Sequence, residues 1–540
     1  MTGAPVDWPT HNLVTHRVRA TPERTAVVDM ETNDRWSFRE FDRRVDDAAR
    51  GIRRALGNPQ NDRLGVLMDT RPAFATVFFA AMRLGATVVP LNVRETTGEL
   101  AAKVDRTGLE AIVCEAGTES SALELADEAA LEGECVWSVD DPEIERVRAL
   151  YSDRRETESE FEGDRTVEPV SLGRDETQLI MFTSGTSGEP KGVRLTVGNL
   201  VASATASAFR LGVDPDDRWL CCLPMYHMGG LAPVVRSVLY GTTVVIQRAF
   251  EPRETARILE RENATGVSLV PTMCKRLLDA GWQPAEALRF VLLGGAPASS
   301  ELLERCHAAN VPVHPTYGMT ETASQIATAT PAETRTQEGT VGQPLLFADV
   351  TVVDDDGEGV PIGEPGELVV SGPTVTPGYL EPERTDAAFG GRGLYTGDVG
   401  YADEDGRLWV LNRRSDRIVT GGENVDPGEV VAVLRSHPGV ADAAVVGLED
   451  REWGERVGAL VVPEGADGPA GGRSETAAES LALESVLGHC DDRLAGFKRP
   501  KMIAVVASLP RTPSGTVDRE ATRTRLLESG IDVSDWSRSS

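Results

Sequence analysis

Short runs that are apolar from end to end alternate with amphipathic stretches over much of this chain, and that alternation limits the folds open to it. RLGVLM (63–68), ATVVPL (86–91), AIVCE (111–115), TTVVIQ (242–247), GVSLVP (266–271) and RFVLLGG (289–295) lack the in–out pattern of a half-exposed strand. They predict strands covered on both faces. Between them lie amphipathic stretches such as PAFATVFFAAMRLG (72–85) and ELLERCHAAN (301–310). Strand and helix in turn predict βαβ units and a layered α/β architecture. From about Ala348 the pattern changes to VTVVDDDGEGVPIG, GELVVSG and GRLWVLN, short strands joined by Gly/Asp turns, which predict a smaller β-rich subdomain over about 345–411. The acid-rich stretch 152–176 reads as a loop leading into the next strand, PEGADGPAGGRSETAAES (463–480) as a flexible insertion and SGIDVSDWSRSS (529–540) as a loose tail.

The 540 residues leave room for roughly three or four domain-sized units. No apolar run reaches the length of about 18 residues expected of a membrane span. The opening MTGAPVDWPTHNL has no basic start followed by an apolar core, so the default location is the cytoplasm. Charge is the unusual feature: 85 acidic against 55 basic residues gives −30, and only five of the basic residues are lysines (Lys103, Lys191, Lys275, Lys498, Lys501). Such a surface repels nucleic acid and anionic membranes. The acids are spread along the whole chain, which suits high salt, where screening removes self-repulsion. Acidic surface with scarce lysine resembles proteins of salt-loving archaea. Seven cysteines (Cys114, Cys135, Cys221, Cys222, Cys274, Cys306, Cys490) with no CxxC pair predict small buried hydrophobes in a reducing compartment.

The segment richest in chemistry is MFTSGTSGEPKG (181–192). An apolar strand runs into Thr183, Ser184, Gly185, Thr186, Ser187 and Gly188, and the loop ends on Pro190 and Lys191. Glycines let backbone N–H groups crowd round an anion, hydroxyls add donors and a lysine supplies charge. Pro190 stands where a Walker loop has glycine, which disfavours a P-loop ATPase.

TSGTSGEPKG resembles the phosphate-binding signature of the ANL superfamily of adenylate-forming enzymes, and further signatures follow in order over roughly residues 5 to 525. YGMTETAS (317–324) resembles the segment that implies Tyr317 on adenine, Thr320 on a nucleotide phosphate and Glu321 on magnesium. YTGDVGYADEDGRLWVLNRRSDRI (395–418) implies that Asp398 and Arg413 hold the ribose. GGENVDPGEV (421–430), with Gly421 and Gly422, resembles the loop that opens the small C-terminal domain. The resemblance implies a large N-terminal domain of layered α/β subdomains plus the β-rich subdomain (1–411), a hinge at 412–416 centred on Ser415, and a mobile α+β lid (417–540). It also implies ATP, Mg2+ and coenzyme A: an acid attacks the α-phosphate of ATP, and a thiol then displaces AMP.

The acyl pocket of such enzymes is lined by PMYHMGG (224–230), LLGGAP (292–297, with Gly294 and Gly295) and TASQ, with Ser324 and Gln325. PMYHMGGLAPVVRSVLYGTTVV together with YGMTETASQIAT resembles the o-succinylbenzoate–CoA ligases of menaquinone biosynthesis. His227 matches a pocket histidine, with a satisfied core histidine as the plain alternative. Arg236 reads either as an ordinary salt bridge or as the partner of a second substrate carboxylate. A general medium-chain or aryl acyl-CoA synthetase stays open, as does a degenerate binder of nucleotide or acyl-CoA with weak turnover, and so does a homo-oligomer. The degenerate reading rests on LPRTPSGTVDRE (509–520): relatives carry a catalytic lysine where this chain has Thr516, with Arg511 and Arg519 nearby.

Overall fold

The computed structural model describes residues 12–57, 59–131, 133–151, 167–183, 190–414, 418–420, 423–425, 427–451, 453–464, 483–511 and 517–534. The expected flexible insertion lies almost wholly outside them, as does most of the expected loop at 152–176.

Each of the six apolar runs forms a strand. Arg63–Leu67, Thr87–Pro90 and Ala111–Cys114 belong to a seven-stranded sheet whose order is 148–149, 136–138, 111–114, 63–67, 87–90, 177–183, 191–196. It is parallel except for its last pair, where Thr177–Thr183 and Lys191–Thr196 run antiparallel. Phe290–Leu293, Gly266–Leu269 and Thr243–Ile246 lie in a nine-stranded sheet ordered 343–344, 327–328, 313–317, 290–293, 266–269, 218–221, 243–246, 25–29, 35–37. Its interior is parallel and both ends are antiparallel. Parallel strands need crossover helices, and these helices cover the sheets.

The main core joins these sheets through helices such as Phe38–Leu56 and Pro72–Leu84. The latter starts with proline in its first turn and stops at Gly85, whose φ of 74° suits a left-handed cap. Only Ala73 of its residues escapes full burial. Phe78 and Phe79 meet edge-to-face at 5.3 Å, and truncating either to alanine should cost about 3–5 kcal/mol.

The expected β-rich region forms a five-stranded sheet built from strands between Asp349 and Arg413. A six-stranded sheet follows, ordered 423–425, 418–420, 454–463, 502–505, 531–532, with Val440–Asp450 on 454–463. Helices Pro427–Arg435 and Leu483–Asp491 share a core with it. The expected loose tail is partly ordered: Ile531–Asp532 pairs antiparallel with Met502 and Ile503. The chain divides into two compact units, residues 1–350, 370–394 and 405–408 in one, and 351–369, 395–404 and 409–540 in the other. Among the described residues, no helix is long and apolar enough to cross a membrane. All seven cysteines are free and buried.

Candidate functional site

In the first unit, Thr183 and Lys191 are register partners on the antiparallel strand pair, so the two phosphate-loop residues described here stand opposite each other. Ser184, Gly185, Thr186, Ser187 and Gly188 lie outside the described residues. A segment around Gly378 runs along strand Lys191–Thr196. The Arg194 amide donates to the Gly378 carbonyl at 3.1 Å, and the Leu380 amide to the Gly192 carbonyl at 2.8 Å. This edge pairing delivers Tyr379, a residue the sequence reading did not single out. Its ring centroid lies 5.2 Å from Lys191 Nζ, and its hydroxyl donates to Glu321 Oε1 at 3.0 Å.

Glu321 sits on the 3-10 turn Thr320–Thr322, just after Tyr317 ends strand Val313–Tyr317. The turn is forced. A Cβ on Gly318 would stand 1.7 Å from the Ser324 carbonyl oxygen, and the chain reverses through positive φ at Ala323 (52°) and Ser324 (127°). Non-glycine residues in such regions cost about 1–3 kcal/mol each and need support from around them. The Ser203 hydroxyl supplies some, donating to the Ala323 carbonyl at 2.7 Å. Glu321 is 6% exposed, yet among the described residues no lysine or arginine ion-pairs with it. A buried carboxylate held by a tyrosine hydroxyl and lacking a cation is a fitting ligand for a hard divalent ion.

Arg236 presents the opposite case. It lies on helix Met228–Tyr240 and is 2% exposed. Its Nη2 donates to Ser324 Oγ at 3.1 Å, its guanidinium carbon sits 5.3 Å from the Trp219 ring centroid, and its Nε has no hydrogen-bond partner. Burial pushes its pKa down. Among the described residues no carboxylate pairs with it, so none of them supports the salt-bridge alternative. A buried guanidinium in this state favours an anion brought from outside.

His227 occupies the N-cap position of the same helix without a side-chain capping bond, and its ring centroid lies 4.9 Å from that of Tyr226. Its surface is exposed, yet protein crowds it enough for desolvation to lower its pKa, with the Glu95 charge opposing that shift. An exposed surface is not that of a satisfied core histidine. Gly294 and Gly295 follow strand Phe290–Leu293; a Cβ on Gly294 would stand 2.7 Å from Thr316 Cγ2, and Gly295 has φ of 80°. The Nε2 of Gln325 donates to the hydroxyls of Thr328 at 2.7 Å and Thr316 at 3.3 Å, tying together the neighbouring strands, while its buried Oε1 has no hydrogen-bond partner among the described residues.

In the second unit, Asp398 is 5% exposed and pairs with Arg413, Nε to Oδ1 at 2.9 Å. The turn that presents it has Gly397 at φ 73°, with its amide donating to Glu367 Oε1 at 3.0 Å. Ser415, Gly421, Gly422 and Thr516 lie outside the described residues. Arg511 is tied to Asp442 at 2.8 Å, and Arg519 opens helix Arg519–Ser529.

Comparison with known proteins bears on the family and the fold. The profile of the AMP-binding enzyme family matches residues 14–380, and that of the AMP-binding enzyme C-terminal domain matches 429–516. A 2-succinylbenzoate–CoA ligase from Geobacillus kaustophilus is 38% identical over 505 residues, 93% of this chain and 94% of the relative. The o-succinylbenzoate CoA synthetase of Bacillus subtilis, solved with its acyl-adenylate intermediate, superposes with a TM-score of 0.80 at 32% identity, covering 97% of this chain and 99% of that one. The same enzyme with ATP and a magnesium ion gives a TM-score of 0.80 over 96% and 99%.

Proposed function

The chain belongs to the AMP-binding enzyme family, and on that premise we propose that it joins 2-succinylbenzoate to coenzyme A through an acyl-adenylate, the ligase step of menaquinone biosynthesis. In the first half-reaction a substrate carboxylate oxygen bonds to the α-phosphorus of ATP and pyrophosphate leaves. In the second the thiol of coenzyme A attacks the acyl carbon and AMP leaves. Thr183, Lys191 and Thr320 hold phosphate oxygens, Tyr317 stacks on adenine, and Asp398 with Arg413 orients the ribose. Magnesium, when bound with ATP, supplies charge neutralisation for the phosphates, and Glu321 is the residue that would hold it. Catalysis of this kind rests on positioning and charge more than on proton transfer. The sequence division at 412–416, with Ser415 as hinge between 1–411 and the lid, belongs to the same proposal, as do coenzyme A contacts by Gly421 and Gly422. Free, buried cysteines suit a reducing cytoplasm.

One observation carries the choice of acid: the buried Arg236, hydrogen-bonded to Ser324 and without a carboxylate partner among the described residues. The ring carboxylate of 2-succinylbenzoate is a suitable partner, with the succinyl carboxylate left for adenylation and His227 lining the pocket. Exchange of labelled pyrophosphate into ATP, dependent on this acid and independent of coenzyme A, tests the reading. No acid-dependent exchange at any salt concentration would leave only a nucleotide or acyl-CoA binder, the reading that Thr516 keeps open.

A further inference from the structure

Helix Thr97–Thr107 carries none of the residues assigned above, yet its side chains reach the flanks of the phosphate-binding segment. Arg106 donates from Nη1 to the Pro190 carbonyl at 2.7 Å, and from Nε to Glu381 Oε1 at 2.8 Å. Its guanidinium carbon also sits 5.4 Å from the Phe182 ring centroid. These three contacts fall on meaningful places. Phe182 immediately precedes Thr183, Pro190 immediately precedes Lys191, and Glu381 follows Tyr379 by two residues. The Pro190 carbonyl shares a planar peptide with the Lys191 nitrogen, so holding that oxygen fixes the plane from which the lysine side chain departs. The guanidinium fork suits two acceptors at set angles in a way that an ammonium does not.

We propose that Arg106 is a positioning residue for adenylation: it fixes Lys191 through the Pro190 carbonyl and holds Tyr379 beside it through Glu381. The inference rests on the reading that Lys191 faces the nucleotide phosphates. A merely structural Arg106 would tie the helix to the sheet and affect every activity through stability alone.

A double-mutant cycle separates the two. Arg106→Met keeps much of the packing on Phe182 and removes both hydrogen-bonded contacts. Pyrophosphate release should then lose about 10- to 100-fold in kcat/KM for ATP, the scale expected when a group is displaced by about 1 Å. Coenzyme A transfer to preformed acyl-adenylate should stay within about twofold. In a Lys191→Met background, the Arg106 change should cost less than about twofold, because coupled residues are not additive. An equal further loss in that background overturns the inference, as does no loss in the parent enzyme. If Lys191→Met alone leaves adenylation unchanged, the reading of Lys191 falls and the inference with it. Arg106→Lys, which keeps the cation but not the fork, provides the same cycle if the methionine variant does not fold, and should show a smaller loss of the same pattern.

Discussion

Replacing Arg236 with methionine should separate stability from substrate selection. The side chain is 2% exposed, makes one hydrogen bond to Ser324 Oγ, lies 5.3 Å from the Trp219 ring centroid and leaves Nε without a partner. A hydrogen bond from a charged donor contributes about 1.5–3 kcal/mol, and a desolvated cation–π contact about 2 kcal/mol. Against them stands a desolvation penalty of several kcal/mol for a buried ion with no counter-charge. The opposing quantities nearly cancel, so the variant, whose methionine refills the space, should keep its thermal midpoint or raise it. Substrate recognition has no such offset. Removing one member of a buried, hydrogen-bonded charge pair costs about 2–5 kcal/mol, or roughly 30- to several-thousand-fold in kcat/KM at about 1.36 kcal/mol per tenfold. The assay compares 2-succinylbenzoate with 4-oxo-4-phenylbutanoate, which lacks the ring carboxylate, by coupled AMP release, with KM for ATP followed in parallel. The diacid should lose nearly all of its advantage while the monoacid and the KM for ATP hold steady. Equal losses for both acids, or a steep fall in thermal midpoint, would show Arg236 to be structural and not a partner of the ring carboxylate.

Glu321→Gln keeps the shape and the acceptor for Tyr379 but removes the anion; pyrophosphate release should collapse, and a native rate would show that Glu321 does not hold magnesium. The acidic surface, −30 overall, predicts a thermal midpoint that climbs as KCl rises from about 0.1 M, where the Debye length is about 10 Å, to molar levels where it is about 3 Å; a flat or falling curve counts against adaptation to salt. Thr516→Lys should speed adenylation and leave coenzyme A transfer from preformed acyl-adenylate unchanged, because it restores a charge the transition state lacks. No gain would mean that another group already fills the lysine's place, and Arg511→Ala and Arg519→Ala would identify it.

Much of the scaffold was legible because its cause is local. Strands such as Ala111–Cys114 and Phe290–Leu293 are apolar on both faces, and no half-exposed element reads that way. The strand Ile531–Asp532 was missed because two residues carry no period; only the neighbouring strand Met502–Val505 selects them. At the site, Glu321, Lys191 and Arg236 were legible as residue types in signature positions. The state of Arg236 was not, since its having no carboxylate partner among the described residues is a property of the fold. The TASQ resemblance names both Ser324 and Gln325 as pocket candidates; their partners come from the fold, the Thr316 and Thr328 hydroxyls for Gln325 and Arg236 for Ser324. Tyr379 follows a Pro-Gly turn that signals a bend and no chemistry, and its part emerges only when edge pairing sets it between Lys191 and Glu321.

The reaction proposed for this chain takes a diacid, activates it as an adenylate and passes it to coenzyme A. The most direct measurement is kcat/KM for AMP release with ATP, magnesium and coenzyme A, in molar KCl, across 2-succinylbenzoate, benzoate and octanoate. 2-Succinylbenzoate should give the highest value, with its coenzyme A thioester as product. A higher value for benzoate or octanoate, or no acid-dependent AMP release, would contradict this proposal.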